Sequence, residues 1–299
     1  MNRQMTAFAQ TAINVTSAGG VRRMLSRWMM LAGIGLMATG CGGGDESTNQ
    51  ALAQNAGTPF VAPTVFQAAG PSNAAIQNTV DQYRAALGGA NNANTPGPIA
   101  DGRREINWDG GGSTLTATTP AQFTGFQANR GALFITPGTG FVQATVTGLA
   151  DTFRSPTYQT IFQAFSPQRL FTPIDSTVTD MTFFIPGGDN KPAATKGFGA
   201  VFTDVDLPDG SGPGNVNGNR KASTLIECFN KNGELIFTGA VPASPGNASV
   251  SFLGIVFEDA RIAKVRITSG DAAPGPNDDG THDIVMMDDF LYGEPQLLP

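Results

Sequence analysis

The sequence predicts a mostly β protein: a two-sheet jelly-roll sandwich with one N-terminal helix, preceded by a signal peptide and a disordered tether. Three observations lead there. Charged residues make up only 14% of the 299 residues while glycine (38) and proline (20) are plentiful, which implies many turns and few solvent-facing helices. Short apolar runs recur at close spacing, separated by Gly, Pro, Asp and Asn. The 20 phenylalanines fall mostly in or beside those runs and are natural core filling.

The N-terminal segment reads as an address. Arg22, Arg23 and Arg27 precede the apolar run Trp28 to Met37, which is too short to span a bilayer comfortably. Small residues follow, then Cys41; basic flank, apolar core and small residues together make a secretory signal. LMATGC, from Leu36 to Cys41, resembles a bacterial lipobox, whose cysteine is diacylated on sulfur and becomes the new N-terminus. The resemblance implies lipidation at Cys41, a bilayer as partner, and residence in the bacterial cell envelope. Gly42 after the cysteine implies the outer membrane. Met1, Met5 and Met24 are all candidate starts, and Arg22–Arg23 leaves open either general secretory or twin-arginine export. Residues 1–40 are thus expected to be the signal, and 41–71, rich in Gly, Ala, Gln and Asn, a flexible tether.

Residues 72–99 are expected to form a helix and loop lying on the domain. Ile76, Val80, Tyr83 and Leu87 make one helical stripe between the cap Ser72 and the stop Gly88. Residues 100–299 form the β domain. Its strands are expected from Leu133, Phe141, Met181, Phe198, Thr224, Leu235, Ser251, Ile262 and Ile284, and Asn230–Gly233 between two of them is a hairpin signal. If Cys41 is lipidated, Cys228 has no cysteine to pair with and reads as a small buried hydrophobe.

GRREINWDG from Gly102, GALFITPGTGF from Gly131, FSPQRLF from Phe165, GFGAVFTDVD from Gly197, SFLG from Ser251 and MDDFLYGEP from Met287 occur together. They resemble an uncharacterised family of secreted bacterial proteins over residues 75–295. DDF, from Asp288 to Phe290, is similar to the last strand of galactose-binding-like and MAM-like jelly rolls. That resemblance implies a recognition or adhesion module, often stabilised by calcium.

The chemistry is sparse. The net charge of -6 offers nothing to neutralise a row of phosphates, so no nucleic-acid partner is expected. One histidine, His282, excludes multi-histidine metal sites, and no Gly-x-Ser-x-Gly elbow or Walker-type loop occurs. Carboxylates remain. Calcium takes six to eight oxygens from irregular loops, which suits the stretches Asp204 to Asp209 and Asn277 to Asp283. Candidate ligands are Asp204, Asp206, Asp279, Asp283, Asp288 and Asp289, the alternatives being acidic turns that only meet solvent, or a catalytic dyad. Strand alternation would put Asp288 and Asp289 on opposite faces, the buried one needing a cation or an arginine such as Arg266.

Arg103, Arg104 and Trp108 are expected to lock the start of the domain by ion pairs and packing. The expected function is a non-catalytic, surface-anchored module, calcium-stabilised, binding an extracellular glycan or an envelope protein. A carboxylate-dependent glycoside hydrolase or lyase around Asp204, Asp206 and Asp289, and a purely structural lipoprotein, are the alternatives.

Overall fold

The computed structural model describes residues 62–110, 116–206, 223–276 and 282–298. The signal segment with Cys41, the tether up to residue 61, and Asp279 lie outside the described residues. Those described are mostly β, as expected.

The chain enters through β1 (Thr64–Gly70) and α1 (Asn73–Ala86), then β2 (Arg103–Ile106), β3 (Thr116–Phe126), α2 (Gln127–Arg130) and the long β4 (Ala132–Ala144). Two short helices, α3 (Val146–Phe153) and α4 (Tyr158–Ile161), lead to β5 (Leu170–Ile174), β6 (Val178–Phe183), β7 (Ala193–Ala194) and β8 (Gly197–Thr203). The hairpin of β9 (Leu225–Phe229) and β10 (Leu235–Ala240) precedes β11 (Val250–Val256), β12 (Lys264–Thr268), β13 (Met286–Gly293) and β14 (Gln296–Leu297). Gly233, at φ 78°, closes that hairpin, with Asn230 and Glu234 bonded across it.

Antiparallel pairing joins the strands along one path, β1-β11-β8-β13-β5-β4-β6-β12-β9-β10, with β2 branching from β13 and β3 from β4. One large curled sheet, a half-barrel, stands where two separate sheets were expected. The join is narrow: β13 meets β5 through a single register pair, Met287 with Phe171, and hydrogen bonding carries through where the sheet turns over. Inward side chains from both sides of that join, among them Phe134, Phe171, Phe183, Phe198, Phe202 and Phe290, close on one buried core. Cys228 is buried there as a free thiol.

Two further expectations need correction. Residues 64–70, assigned to the tether, are the edge strand β1, in register with β11 from Thr64–Val256 to Gly70–Val250. Phe66 and Ala68 alternate onto the cluster beneath α1, a short signal among small residues and prolines. The runs from Leu133 and Phe141, expected as two strands, are the single β4. Its first part pairs with β6 and its last part with β5, so Pro137 falls at the changeover, where no ladder donor is required of it.

The helical stripe behaves as expected: Ile76, Val80, Tyr83 and Leu87 are all fully buried. The helix sits low because glycines face it. Gly199 and Gly254 are register partners in β8 and β11, and a Cβ on either would stand 2.8 or 2.7 Å from the Tyr83 ring. That ring packs edge-on against Phe66 and Phe252, centroids 5.5 and 5.2 Å away.

Candidate functional site

The β13–β8 register runs Met287 with Phe202 and then Phe290 with Ala200, so Asp288 and Asp289 together oppose one residue. This is a β-bulge, and a bulge re-aims side chains. It overturns the separation that regular alternation predicts: the two carboxyls come together within hydrogen-bonding reach of each other.

Asp288 is fully buried. Its Oδ2 accepts from the backbone amides of Phe165 (2.6 Å) and Ser166 (3.2 Å), and its Oδ1 from the Ser166 hydroxyl (3.0 Å). Asp289 Oδ2 faces Arg84 Nη2 of α1 at 3.4 Å, while Oδ1 is sealed from solvent with no hydrogen-bond partner among the described residues. Burial first, and the neighbouring Asp289 charge second, hold Asp288 well above the usual carboxylate range; burial raises Asp289 too. The pair therefore keeps a proton where an ordinary aspartate has lost its own. Arg266, the expected partner, instead grips Asp180 across the β12–β6 ladder with two contacts of 2.8 Å.

Above the pair lies a cavity of about 330 Å³. Arg84 of α1, Glu105 of β2, Arg130 of α2 and Asp289 of β13 line it, together with loop residues Asn91, Asn107 and Ser166. Every one of these side chains is polar, and the charges are largely tied to each other. Glu105 is held by Arg84 at 3.1 Å and by Arg103 at 2.5 Å, and Arg84 also reaches Asp81 at 3.0 Å. Among the described residues Arg130 has no carboxylate within ion-pair distance. Its Nε donates to Asn94 Oδ1 (3.0 Å), its Nη1 to the Glu105 carbonyl, and its guanidinium lies over the Phe126 ring at 5.4 Å.

The segment after β2 forms the wall of this site. Trp108, in the left-handed region at φ 61°, is fully buried, stacks on Phe171 at 3.6 Å and donates from Nε1 to the Asp288 carbonyl at 3.1 Å. Beside it Arg104 and Glu294 form a buried ion pair with two contacts of 2.7 Å. Arg104 also donates to the carbonyls of Ala93, Thr95 and Asn129, so all five of its N–H donors are used. Glu294 accepts further from Asn92 (2.9 Å) and from the Ile99 amide (3.3 Å). Tyr83, Tyr158 and Tyr292 are buried as well, so neither they nor Trp108 offer a sugar-stacking platform.

The other candidate carboxylates sit elsewhere. Asp204 and Asp206, which follow β8, line a separate cavity of about 280 Å³ with Thr157, Asn247 and His282. Asp283 is buried behind them, accepting from the Ser223 hydroxyl and from the Asp206 amide at 3.4 Å; burial pushes it up to about 6. His282 is a half-exposed loop residue with Nδ1 3.4 Å from Asp271. Among the described residues no three His, Cys, Asp or Glu side chains are grouped to hold a metal ion. Much of the two loops that suggested calcium, residues 207–209 and 277–281, lies outside the described residues.

No helix of the described residues is long and apolar enough to cross a membrane. The chain matches no family model, no curated protein and no solved structure.

Proposed function

We propose that this chain is a lipid-anchored envelope protein whose jelly-roll-like β domain recognises an extracellular glycan in the Arg84–Asp289 cavity, without catalysis. The observation that carries this reading is the cavity itself. At about 330 Å³ it falls in the range of small-ligand sites, ~300–1,000 Å³, yet every residue lining it is of a polar type. Such a wall of guanidinium, amide, hydroxyl and carboxyl groups matches a ligand covered in hydroxyls, each of which donates one hydrogen bond and accepts others.

The geometry favours binding over hydrolysis. A glycosidase sets two free carboxyls across one cleft. Here Glu105 is gripped by two arginines, and Asp289 is almost wholly buried against Arg84 and Asp288. Asp204 and Asp206, the other carboxylates considered for hydrolysis, line a different cavity.

The full-length protein in detergent, applied to an array of envelope and extracellular glycans, should bind a discrete set and lose that binding on Arg84→Ala with no product released. Release of shortened sugars would replace this reading with the hydrolase. Cys41→Ser should move the protein from the membrane to the soluble fraction; continued membrane retention would count against the anchor.

A further inference from the structure

Within the cavity the charges are unevenly answered. Glu105 lies between Arg84 and Arg103, and Asp289 between Arg84 and Asp288. Arg130 is the lining charge without an opposite partner among the described residues. Its position is nonetheless fixed. Asn94 holds Nε, the Glu105 carbonyl holds Nη1, and Phe126 backs the flat face. Two of its five N–H donors are thereby spent, leaving one on Nη1 and both on Nη2. Those remaining donors form the end of the fork that accepts a carboxylate through two parallel hydrogen bonds. Asn91, also lining the cavity, accepts from the Ala93 amide at 2.9 Å through Oδ1, which leaves its NH2 group to donate.

An arginine whose rotamer is already held loses little freedom when it binds, so the cost of ordering it has been met by the fold. A surface arginine with no role has no need of three separate restraints. Glu105 is held by Arg84 and Arg103 and Asp289 faces Arg84, so neither carboxylate strongly repels an anion.

We infer that the glycan is acidic: a carboxylated sugar, of the uronic-acid class, docks its carboxylate on the free end of Arg130 and on Asn91 while its hydroxyls meet Ser166, Asn107 and Glu105. This rests on the glycan reading above and narrows it. A neutral sugar would leave the guanidinium desolvated without an answering charge, which is the kind of mismatch that separates related ligands strongly.

The test is calorimetric titration of the full-length protein with trimers of galacturonate, glucuronate and mannuronate, their methyl esters, and the corresponding neutral trimers. At least one acidic trimer should bind, its methyl ester at least tenfold more weakly, as expected for loss of a charge-assisted contact. Raising the salt from low to high concentration should weaken the acidic ligand alone. Arg130→Gln should abolish the difference between acid and ester. The ester and salt comparisons use the unaltered protein and decide the matter even if Arg130→Gln folds poorly. Esters or neutral trimers that bind as tightly as the acids would overturn the acidic ligand and leave glycan recognition standing. Absence of binding by all of them would overturn both.

Discussion

Two buried clusters of charge sit close together along the chain's closing strand, and they are built on opposite principles. Arg104 and Glu294 are a complete set: five donors and five places to put them, with the carboxylate taking two further hydrogen bonds from Asn92 and Ile99. Asp288 and Asp289 are an incomplete one: two carboxyls side by side, one oxygen without a hydrogen-bond partner among the described residues, and a single arginine at 3.4 Å. The first arrangement has nothing left to offer a ligand; it ties the loop after α1 and the start of β2 to the end of β13. The second is strained in charge and opens onto a cavity. Satisfaction marks the staple, and dissatisfaction marks the site.

The largest effect should come from breaking the complete set. Arg104→Ala leaves Glu294 buried without its counter-charge and is expected to cost about 3–5 kcal/mol in urea unfolding. The double change Arg104→Met with Glu294→Leu should recover most of that loss, because a matched apolar pair carries no desolvation penalty. A loss below about 1 kcal/mol for the single change would place the pair with ordinary surface bridges.

Next in size is a pH effect at Asp283, a buried carboxyl outside both clusters. Its folded value of about 6 stands above the 3.8 of an ordinary aspartate, so the fold favours its protonated form. That contribution is full below the ordinary value and is lost as pH rises through about 6. A shift of this size corresponds to roughly 3 kcal/mol. Asp283→Asn should therefore gain on the parent protein between pH 4 and pH 7.5, read as the difference between their denaturation midpoints. A difference that stays flat with pH would remove Asp283 as the cause.

The smallest effect, and the one of opposite sign to the staple, is at the pair itself. Asp288→Asn keeps an acceptor for the Phe165 and Ser166 amides while giving Asp289 Oδ1 a donor in place of a like charge. Above the pH at which the pair loses its proton, stability should rise by about 0.5–1.5 kcal/mol, the worth of one net hydrogen bond. Destabilisation by more than that would show the pair to be a second staple.

Much of this architecture could be read from the residues. Spacing found α1 and its buried stripe, and apolar runs located most strands, because both patterns are local. The segments around Arg103 and Asp288 were also recognisable as unusual. Their meeting was not. Arg84 and Asp289 are 205 positions apart, and no local pattern registers a helix residue against a strand that far along the chain. The bulge was hidden for a related reason: alternation is a property of regular pairing, and only the partner β8 shows that one residue there answers two on β13. β1 escaped because an edge strand needs few apolar residues, and Val65 and Phe66 stand alone among small residues and Gln67.

Tyr83 and Arg84 are consecutive residues of one rigid helix, so whatever sets the height of the ring above the sheet also sets the reach of the guanidinium. The two glycines under the ring, Gly199 and Gly254, thus act as the bearing surface of a lever whose working end is in the cavity. A single methyl group added to either would press on the Tyr83 ring and, through it, on the helix. A lift of roughly 1 Å, a misplacement large enough to cost much of a site's function, would draw Arg84 away from a carboxylate it now meets at 3.4 Å. On the proposed glycan reading, lesions at these two smooth, buried positions would surface as defects in affinity although neither residue lines the cavity.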